Sequence, residues 1–203
     1  MTPSMSRRNV LRTAAAALAL RPPSAAATEH ARMLDQLLAR RRMVRRFAPD
    51  RIPTATIRRL VGAAVRAPSA GHTQPWEFVV VRAERTRRML AQAAAGQRFV
   101  ADAPVVVVAC FDVSRATPRY GEHAELYGII DTAFASLCLL LAVAEEGLGA
   151  CFVGAIDRPR VAQILGLPPH GRVLAVIPIG RPAESPRSMR IRRPREVLHR
   201  ERW

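Results

Sequence analysis

Apolar side chains in the first third of the chain recur at helical spacing. Between residues 57 and 65 they fall at i, i+3, i+4, i+7 and i+8, after a start signal at Thr54. This pattern predicts an amphipathic helix that ends before Pro68. Leucines at 34, 37 and 38 share the spacing and predict an earlier helix.

Short runs of β-branched and aromatic residues predict strands, and helical stretches separate them. A polar helix follows the first run, and a helix capped by Asp157 and stopped by Gly166 follows the third. The predicted strands are Glu77–Val81, Val105–Phe111, Ala150–Gly154 and Val173–Ile179, and the polar helix is Glu84–Ala95. Helices and strands alternate irregularly, which indicates an α+β fold with a mixed central sheet flanked by helices.

One stretch, Thr132–Ala144, is apolar on every face, and Gly147 marks its end. A helix of this kind is buried in the middle of a domain or at a subunit interface. Its longest near-unbroken apolar run, Ala133–Ala144, falls short of the roughly 20 residues that span a bilayer. We therefore expect no transmembrane helix and no membrane partner.

The length of 203 residues suits one domain with a substantial core, and the charge is strongly basic, with a formal net value of +16. A basic chain suggests nucleic-acid or anionic-surface binding. However, its arginines are spread over every segment and accompany no recognised nucleic-acid-binding motif. We expect no nucleic-acid partner, and a non-enzymatic basic binding protein stays open as an alternative. The three cysteines lie in apolar runs without metal-ligand spacing, so we predict buried small hydrophobes and no metal site.

The first 27 residues have the order of an export signal. Arg7-Arg8 precedes a weakly apolar stretch, Thr13–Leu20, and small residues follow. This order resembles a twin-arginine signal, which would leave residues 28–203 as the folded domain of an exported protein. The alternative is a disordered N-terminal extension on a cytoplasmic protein.

Three segments carry candidate chemistry, in a chain without the G-x-S-x-G, H-E-x-x-H, C-x-x-C or P-loop motifs. Arg41–Phe47 concentrates guanidinium groups suited to bidentate contact with a phosphate. Ala67–Trp76 joins a helix to a strand through Pro, Gly and small polar residues, which give a flat polar ligand access to backbone donors. Arg190, Arg192 and Arg193 form a second basic cluster near the C-terminus.

Taken in this order and spacing, these segments resemble the FMN-dependent nitroreductase family. The resemblance covers roughly Leu34 to Trp203. Its most specific pieces are RRMVRRF at 41–47, APSAGHTQPW at 67–76, GLGACFVGA at 147–155 and IPIGRP at 177–182. It implies a nitroreductase-like fold, an interlocked homodimer, one FMN at each of two sites built from both subunits, and NADH or NADPH as electron donor.

The resemblance also implies roles for individual residues. Arg41 and Arg192 would hold the FMN phosphate, and Arg45 would lie near the pyrimidine edge of the flavin, where a fixed cation stabilises the reduced form. Residues 68–70 would approach the ring from the partner subunit, and residues 152–154 would line one of its faces. The full set implied to bind the cofactor is Arg41, Arg42, Met43, Arg45, Pro68, Ser69, Ala70, His72, Gln74, Phe152, Val153, Gly154, Arg190 and Arg192.

Three positions depart from the family pattern, one of them Gly154, which replaces an acidic residue that some members have beside flavin N5. Met43 stands where Ser is common, which removes a hydroxyl donor to the phosphate or ribityl chain, and His72 stands where Asn is common. His72 either hydrogen-bonds the flavin or acts as an acid toward the substrate. The stretch Asp112–Ile130 lies where the family has variable substrate-covering segments, and its shortness predicts an open pocket. Tyr120 and Tyr127 in this stretch either cover the substrate or are ordinary packing residues.

The implied function is hydride transfer through flavin N5 from NAD(P)H to a small molecule such as a nitroaromatic or a quinone. An alternative within the same resemblance is a flavin oxidase or desaturase of a biosynthetic pathway that uses O2. Export would favour that alternative, because nicotinamide cofactors are not supplied outside the cytoplasm.

Overall fold

The computed structural model describes residues 25–185 and 189–203, with side chains from residue 28 onward. The twin-arginine motif and the apolar stretch after it lie outside the described residues, so the export signal stays a prediction. The chain divides into two units, residues 1–39 and residues 40–203. The described part of the first unit belongs to helix α1 (Ala25–Arg40), which confirms the helix predicted from the leucine spacing.

The second unit is built on a four-stranded sheet in the order β1-β2-β4-β3. Its strands are β1 (Trp76–Val81), β2 (Val105–Asp112), β3 (Gly149–Ala150) and β4 (Gly171–Gly180). Every pairing between these described strands is antiparallel, and an isolated bridge between Met43 and Ala150 supplies a parallel component. The α+β class is confirmed.

The predicted strand at 150–154 is shorter than expected. The regular strand ends at Ala150, but the next residues continue beside β4: the N–H of Cys151 donates to the carbonyl of Pro178 at 3.3 Å, and Val153 forms a bridge with Val176. Between them the N–H of Phe152 points away from β4, as alternation along a strand requires, and donates to Met43 Sδ at 3.4 Å.

Six α-helices among the described residues complete the second unit. Where the sequence predicted a helix, the predicted and observed bounds agree closely, except for the longest helix. They are α2 (Thr54–Ala64), α3 (Glu84–Ala93), α4 (Phe99–Asp102), α5 (Thr117–Tyr120), α6 (Ala124–Glu145) and α7 (Arg158–Leu165). Asp157 caps α7, since its Oδ1 accepts from the N–H of Arg160 at 2.9 Å. Helix α6 begins eight residues before the predicted Thr132. The prediction missed its first turns because polar residues there interrupt the apolar run.

The sheet lies between two helical layers, and the alternation of side chains along β2 shows why. Val105 and Val107 pack in one core with Leu139 of α6, while Val106 and Val108 pack in a second core with α3 and α7. Both faces of β2 are therefore covered, which accounts for its unbroken apolar run.

Helix α6 is apolar on the face toward the sheet and also on the face away from it. The outward side chains are 37–55% exposed: Leu126, Ile129, Ile130, Phe134 and Leu137. By length and composition alone the segment Thr117–Glu145 could cross a membrane, with a mean hydropathy of 2.0 over a window that is 44% buried. Our prediction of no such segment counted only Ala133–Ala144 and missed the preceding turns. A core helix of a globular protein passes the same criterion.

Two helical glycines provide a matched test of the packing of α6. A Cβ added at Gly128 would lie 2.4 Å from Cδ2 of the buried Phe111, whereas one added at Gly62 of α2 would meet nothing within 4 Å. We expect Gly128→Ala to lower the free energy of unfolding by about 1–3 kcal/mol through overpacking. Gly62→Ala should raise it by about 0.5–1 kcal/mol through helix propensity.

Urea unfolding followed by circular dichroism measures both variants. Equal effects of the two substitutions would contradict the close contact between α6 and β2.

Candidate functional site

The Arg41–Phe47 segment is held along the end of the sheet by backbone hydrogen bonds. The N–H of Val44 donates to the carbonyl of Ala150 at 2.9 Å, and Phe47 forms a bridge with Pro182. The arginines between these two attachment points therefore have a fixed backbone path and flexible side chains.

Glu184 reinforces this path from the far end of the chain. Its Oε1 accepts from the N–H of Arg45 at 2.7 Å and from the N–H of Arg46 at 3.1 Å. A carboxylate bound by two backbone donors fixes the turn of the segment without neutralising the guanidinium groups by contact. Glu184 could not be recognised from the sequence, because a single acid after the last strand belongs to no motif.

Met43 and Arg45 connect the segment to the predicted flavin-facing residues. Met43 Sδ accepts from the N–H of Phe152. At the position where the family commonly has a serine hydroxyl, this chain therefore has a thioether that accepts a hydrogen bond. Arg45 lies 5.9 Å from the Phe99 ring centroid and also contacts the Cys151 thiol. Burial raises the pKa of that thiol, and Arg45 partly offsets the rise.

A cavity of about 610 Å³ opens beside these residues. It is lined by Arg41, Arg42, Met43, Arg45, Glu184, Ser185, Met189 and Ile191. Its volume is in the range of roughly 300–1,000 Å³ typical of cofactor sites. The set combines guanidinium groups for an anion with apolar side chains for a flat ring, so these residues fit a phosphorylated flavin.

The loop after α2 forms a second, separate group. Gly71, His72 and Gln74 have φ angles of 53°, 58° and 47°, a left-handed conformation that is costly for His and Gln. The N–H of Gln74 donates to Ser69 Oγ at 3.1 Å, and Gln74 Nε2 lies 2.9 Å from His72 Nε2. These contacts hold the two predicted polar side chains of the loop together.

Asp131 of α6 fixes the start of this loop. Its Oδ1 and Oδ2 accept from the N–H of Ala70 at 3.0 and 3.1 Å, and the residue is only 2% exposed. Burial raises the pKa of the carboxyl, and the Ala70 hydrogen bond lowers it in part. Sequence patterns gave no signal for Asp131, which occurs singly before the all-apolar part of α6.

A short segment packs against the loop that follows α2. It comprises 3-10 turns at Val113–Arg115 and Gly121–His123 with α5 between them. The Nε–H of Arg115 donates to the carbonyl of Thr73 at 3.0 Å, and the rings of Tyr120 and Tyr127 lie 4.4 Å apart. The predicted covering segment thus contacts the predicted flavin loop.

The chain matches known proteins over most of this region. The Nitroreductase family pattern matches residues 38–98 and 93–181. The chain is 36% identical over 173 residues to an NADH dehydrogenase of Thermus thermophilus, covering 71% of this chain and 84% of the relative.

This chain belongs to the nitroreductase family. It is also similar to the NADPH:FMN oxidoreductase of Vibrio harveyi, solved with NAD+, with a TM-score of 0.76 and 25% identity over 83% of this chain and 76% of that one. A mouse iodotyrosine deiodinase 1 is 27% identical over 175 residues, which cover 73% of this chain and 61% of the relative. The chain is therefore an oxidoreductase.

Within one chain of this nitroreductase-family protein, the predicted residues fall into two places. Arg41, Arg42, Met43 and Arg45 line the cavity, with Phe152 bonded to Met43. The loop residues 68–74 are not among the described residues that line it. The two groups contact opposite parts of α6: Asp131 binds the loop, and Ala144 lines a smaller cavity of about 210 Å³ with Arg41 and Arg42. At 1.5 Å per residue, those positions are roughly 20 Å apart along the helix.

The two C-terminal arginines assigned to the phosphate contact Glu196. Arg190 lies 3.2 Å from its carboxylate, and Arg192 donates to its carbonyl. Met189 and Ile191 nevertheless line the 610 Å³ cavity, so the same stretch borders the Arg41 group. The assignment of both arginines to the phosphate stays a prediction.

Asp131 gives a pH-dependent test of the loop. Because burial raises its pKa above the ordinary 3.8, the folded chain holds this proton more tightly than the unfolded chain does. Stability from this group therefore falls as pH rises through the folded pKa and is constant above it. Asp131→Asn keeps an acceptor for the Ala70 N–H, so it should not destabilise at neutral pH and should remove that fall.

Asp131→Ala leaves the Ala70 N–H without its partner and should cost about 1–3 kcal/mol. Thermal unfolding between about pH 4 and pH 8 compares the two variants. If Asn destabilises as much as Ala, the carboxylate charge itself holds the loop, and the hydrogen-bond account is wrong.

Proposed function

We propose that this chain is an FMN-dependent oxidoreductase that passes hydride from NADH or NADPH to a small aromatic acceptor such as a nitroaromatic or a quinone. The observation that supports the proposal best is the cavity of about 610 Å³ at Arg41, Arg42, Met43 and Arg45. Bound FMN would supply the redox chemistry there, because flavin N5 accepts and releases a hydride.

The residues of the cavity have distinct tasks in this proposal. Arg41 and Arg42 bind the phosphate, since guanidinium groups are always charged and form bidentate contacts. Arg45 places a cation near the pyrimidine edge of the ring, where negative charge develops on reduction. Glu184 acts on the backbone of Arg45, so it positions that cation.

We further propose that each site is completed by a second copy of the chain. The loop residues and the Arg41 group are roughly 20 Å apart along α6 in one chain. The exposed apolar residue Leu137 lies at the midpoint between Asp131 and Ala144, and the exposed Phe134 lies about one helical turn before it. A two-fold axis at that midpoint, with antiparallel α6 helices, would bring the loop of one chain to the Arg41 group of its partner.

The same arrangement covers the outward face of α6. A contiguous apolar face of this kind marks an interaction surface in a water-soluble protein. In the assembled dimer, Ser69, Ala70 and His72 would border the ring from the partner chain. His72, paired with Gln74, then serves as a hydrogen-bond partner beside the flavin.

An absorbance spectrum and an anaerobic titration test the proposal. We expect flavin bands in the purified protein that NADH or NADPH bleaches, because the cavity and the loop together provide a flavin site. Bands bleached only by dithionite would favour the oxidase alternative and, with it, export. A protein without bands that takes up no added FMN would contradict the flavin proposal and favour the basic binding protein.

A second acceptor class follows from the similarity to iodotyrosine deiodinase. The reduced protein is mixed with 3-iodotyrosine, and iodide release is measured beside the reduction of a nitroaromatic and a quinone. Iodide release without the other two reductions would replace the proposed acceptor.

Phe134→Glu tests the two-chain site. A carboxylate about one helical turn from the two-fold axis is buried in the interface and loses water on association, so we expect the dimer to dissociate and flavin to be lost at the same time. Val80→Glu makes the same change at another exposed apolar residue, on strand β1. It should leave both properties unchanged.

Sedimentation gives the oligomeric state, and absorbance gives the flavin content. A Phe134→Glu monomer that keeps its flavin would contradict the shared site. A Phe134→Glu dimer would contradict the proposed interface.

A further inference from the structure

We propose that the segment over the loop is a binding subsite for an aromatic carboxylate, in which Arg115 and Arg119 bind the anionic group and Tyr120 contacts the ring. This inference names the substrate class, and it rests on the proposed function because it places the substrate beside the flavin loop.

Both arginines lie against the loop. The Nε–H of Arg115 donates to the carbonyl of Thr73 at 3.0 Å. A Cβ built on Gly71 would lie 2.6 Å from Cδ and Nε of Arg119 and from the hydroxyl oxygen of Tyr120. Gly71 therefore lets these two side chains approach the loop backbone, next to His72.

Neither guanidinium group is neutralised by a carboxylate. Among the described residues, no ion pair includes Arg115 or Arg119. A guanidinium carries five N–H donors, and the hydrogen bond from Arg115 to Thr73 uses only one of them. Two exposed cations with spare donors on one short segment can bind a carboxylate in a bidentate manner.

Acidic residues near this segment have other partners. Asp112 accepts from the backbone N–H of Ser114 at 2.8 Å. Glu122 lies 3.9 Å from the ring of His123, and Glu125 lies 4.0 Å from Arg172. None of these three acids forms an ion pair with Arg115 or Arg119, so both guanidinium groups keep donors free for an incoming carboxylate.

Tyr120 adds the aromatic part of the specificity. Its ring is half-buried and lies 4.4 Å from that of Tyr127, which fixes its position. The Arg119 Cζ is 5.9 Å from the Tyr120 centroid, so cation and ring border the same space. A ligand with a flat apolar ring and one anionic group matches both features.

Binding of benzoate and of its neutral counterpart benzamide separates this subsite from the general field of a chain with net charge +16. Calorimetry on the purified protein supplied with FMN gives the two affinities and their ratio. We expect benzoate to bind more tightly, and Arg119→Gln or Arg115→Gln to lower the benzoate-to-benzamide ratio about tenfold, as for a lost charge-assisted hydrogen bond. Arg88→Gln removes an exposed arginine of α3 and should leave the ratio unchanged.

Three results would overturn the inference. Equal affinities for the two ligands would show no anion subsite. A ratio that falls equally in all three variants would assign the preference to the overall charge. Variants that slow flavin reduction by NADPH or NADH but keep the ratio would assign the arginines to the phosphates of the donor.

Failure of the proposed function gives a different result. The absorbance of the same sample reports flavin, whereas calorimetry reports benzoate binding with or without it. A sample that takes up no FMN but shows the arginine-dependent ratio would contradict the flavin proposal and keep the anion subsite.

Discussion

The fold depends on the need to cover α6 on both sides. A helix that is apolar all round is stable in water only if each face is packed. The sheet covers one face through Leu139 and Val143. Phe134 and Leu137 on the other face are left exposed in a single chain. In our proposal a second α6 covers them, so the interaction that completes the core also completes the two sites.

The length of α6 then sets the spacing of those sites. The loop is attached at Asp131, and the Arg41 group lies near Ala144. A rigid helix keeps these positions apart in one chain, and an antiparallel partner reverses their order. In the proposed dimer, this reversal brings the two groups to the same flavin site. The strained backbone at His72 and Gln74 is consistent with a functional role for the loop, because such strain persists only where surrounding contacts hold it.

The elements that the sequence predicted correctly are those with a strong local period or a local stop signal. Strand β2 and helix α7 were found because a continuous β-branched run and an Asp157 cap are visible within a few residues. The contacts that shape the candidate site were not found. Glu184 meets Arg45 across 139 positions, and Asp131 meets Ala70 across 61. A single acid has no periodicity, and its partner is a backbone N–H that every residue except proline possesses.

The arginines likewise show that the composition of the chain does not reveal which side chains are in contact. The excess of basic residues is visible in the composition, and it describes a long-range field that attracts any anion. Specific recognition requires a guanidinium group with free donors, no competing carboxylate and a fixed position. Arg59 has lost that capacity, because it holds Glu146 at 2.8 Å, and such exposed pairs add little stability. Arg115 and Arg119 keep it, since no carboxylate among the described residues lies within ion-pair distance of either. In our proposal, this freedom and the hydrogen bond that anchors Arg115 at Thr73 suit the segment to select an anionic substrate.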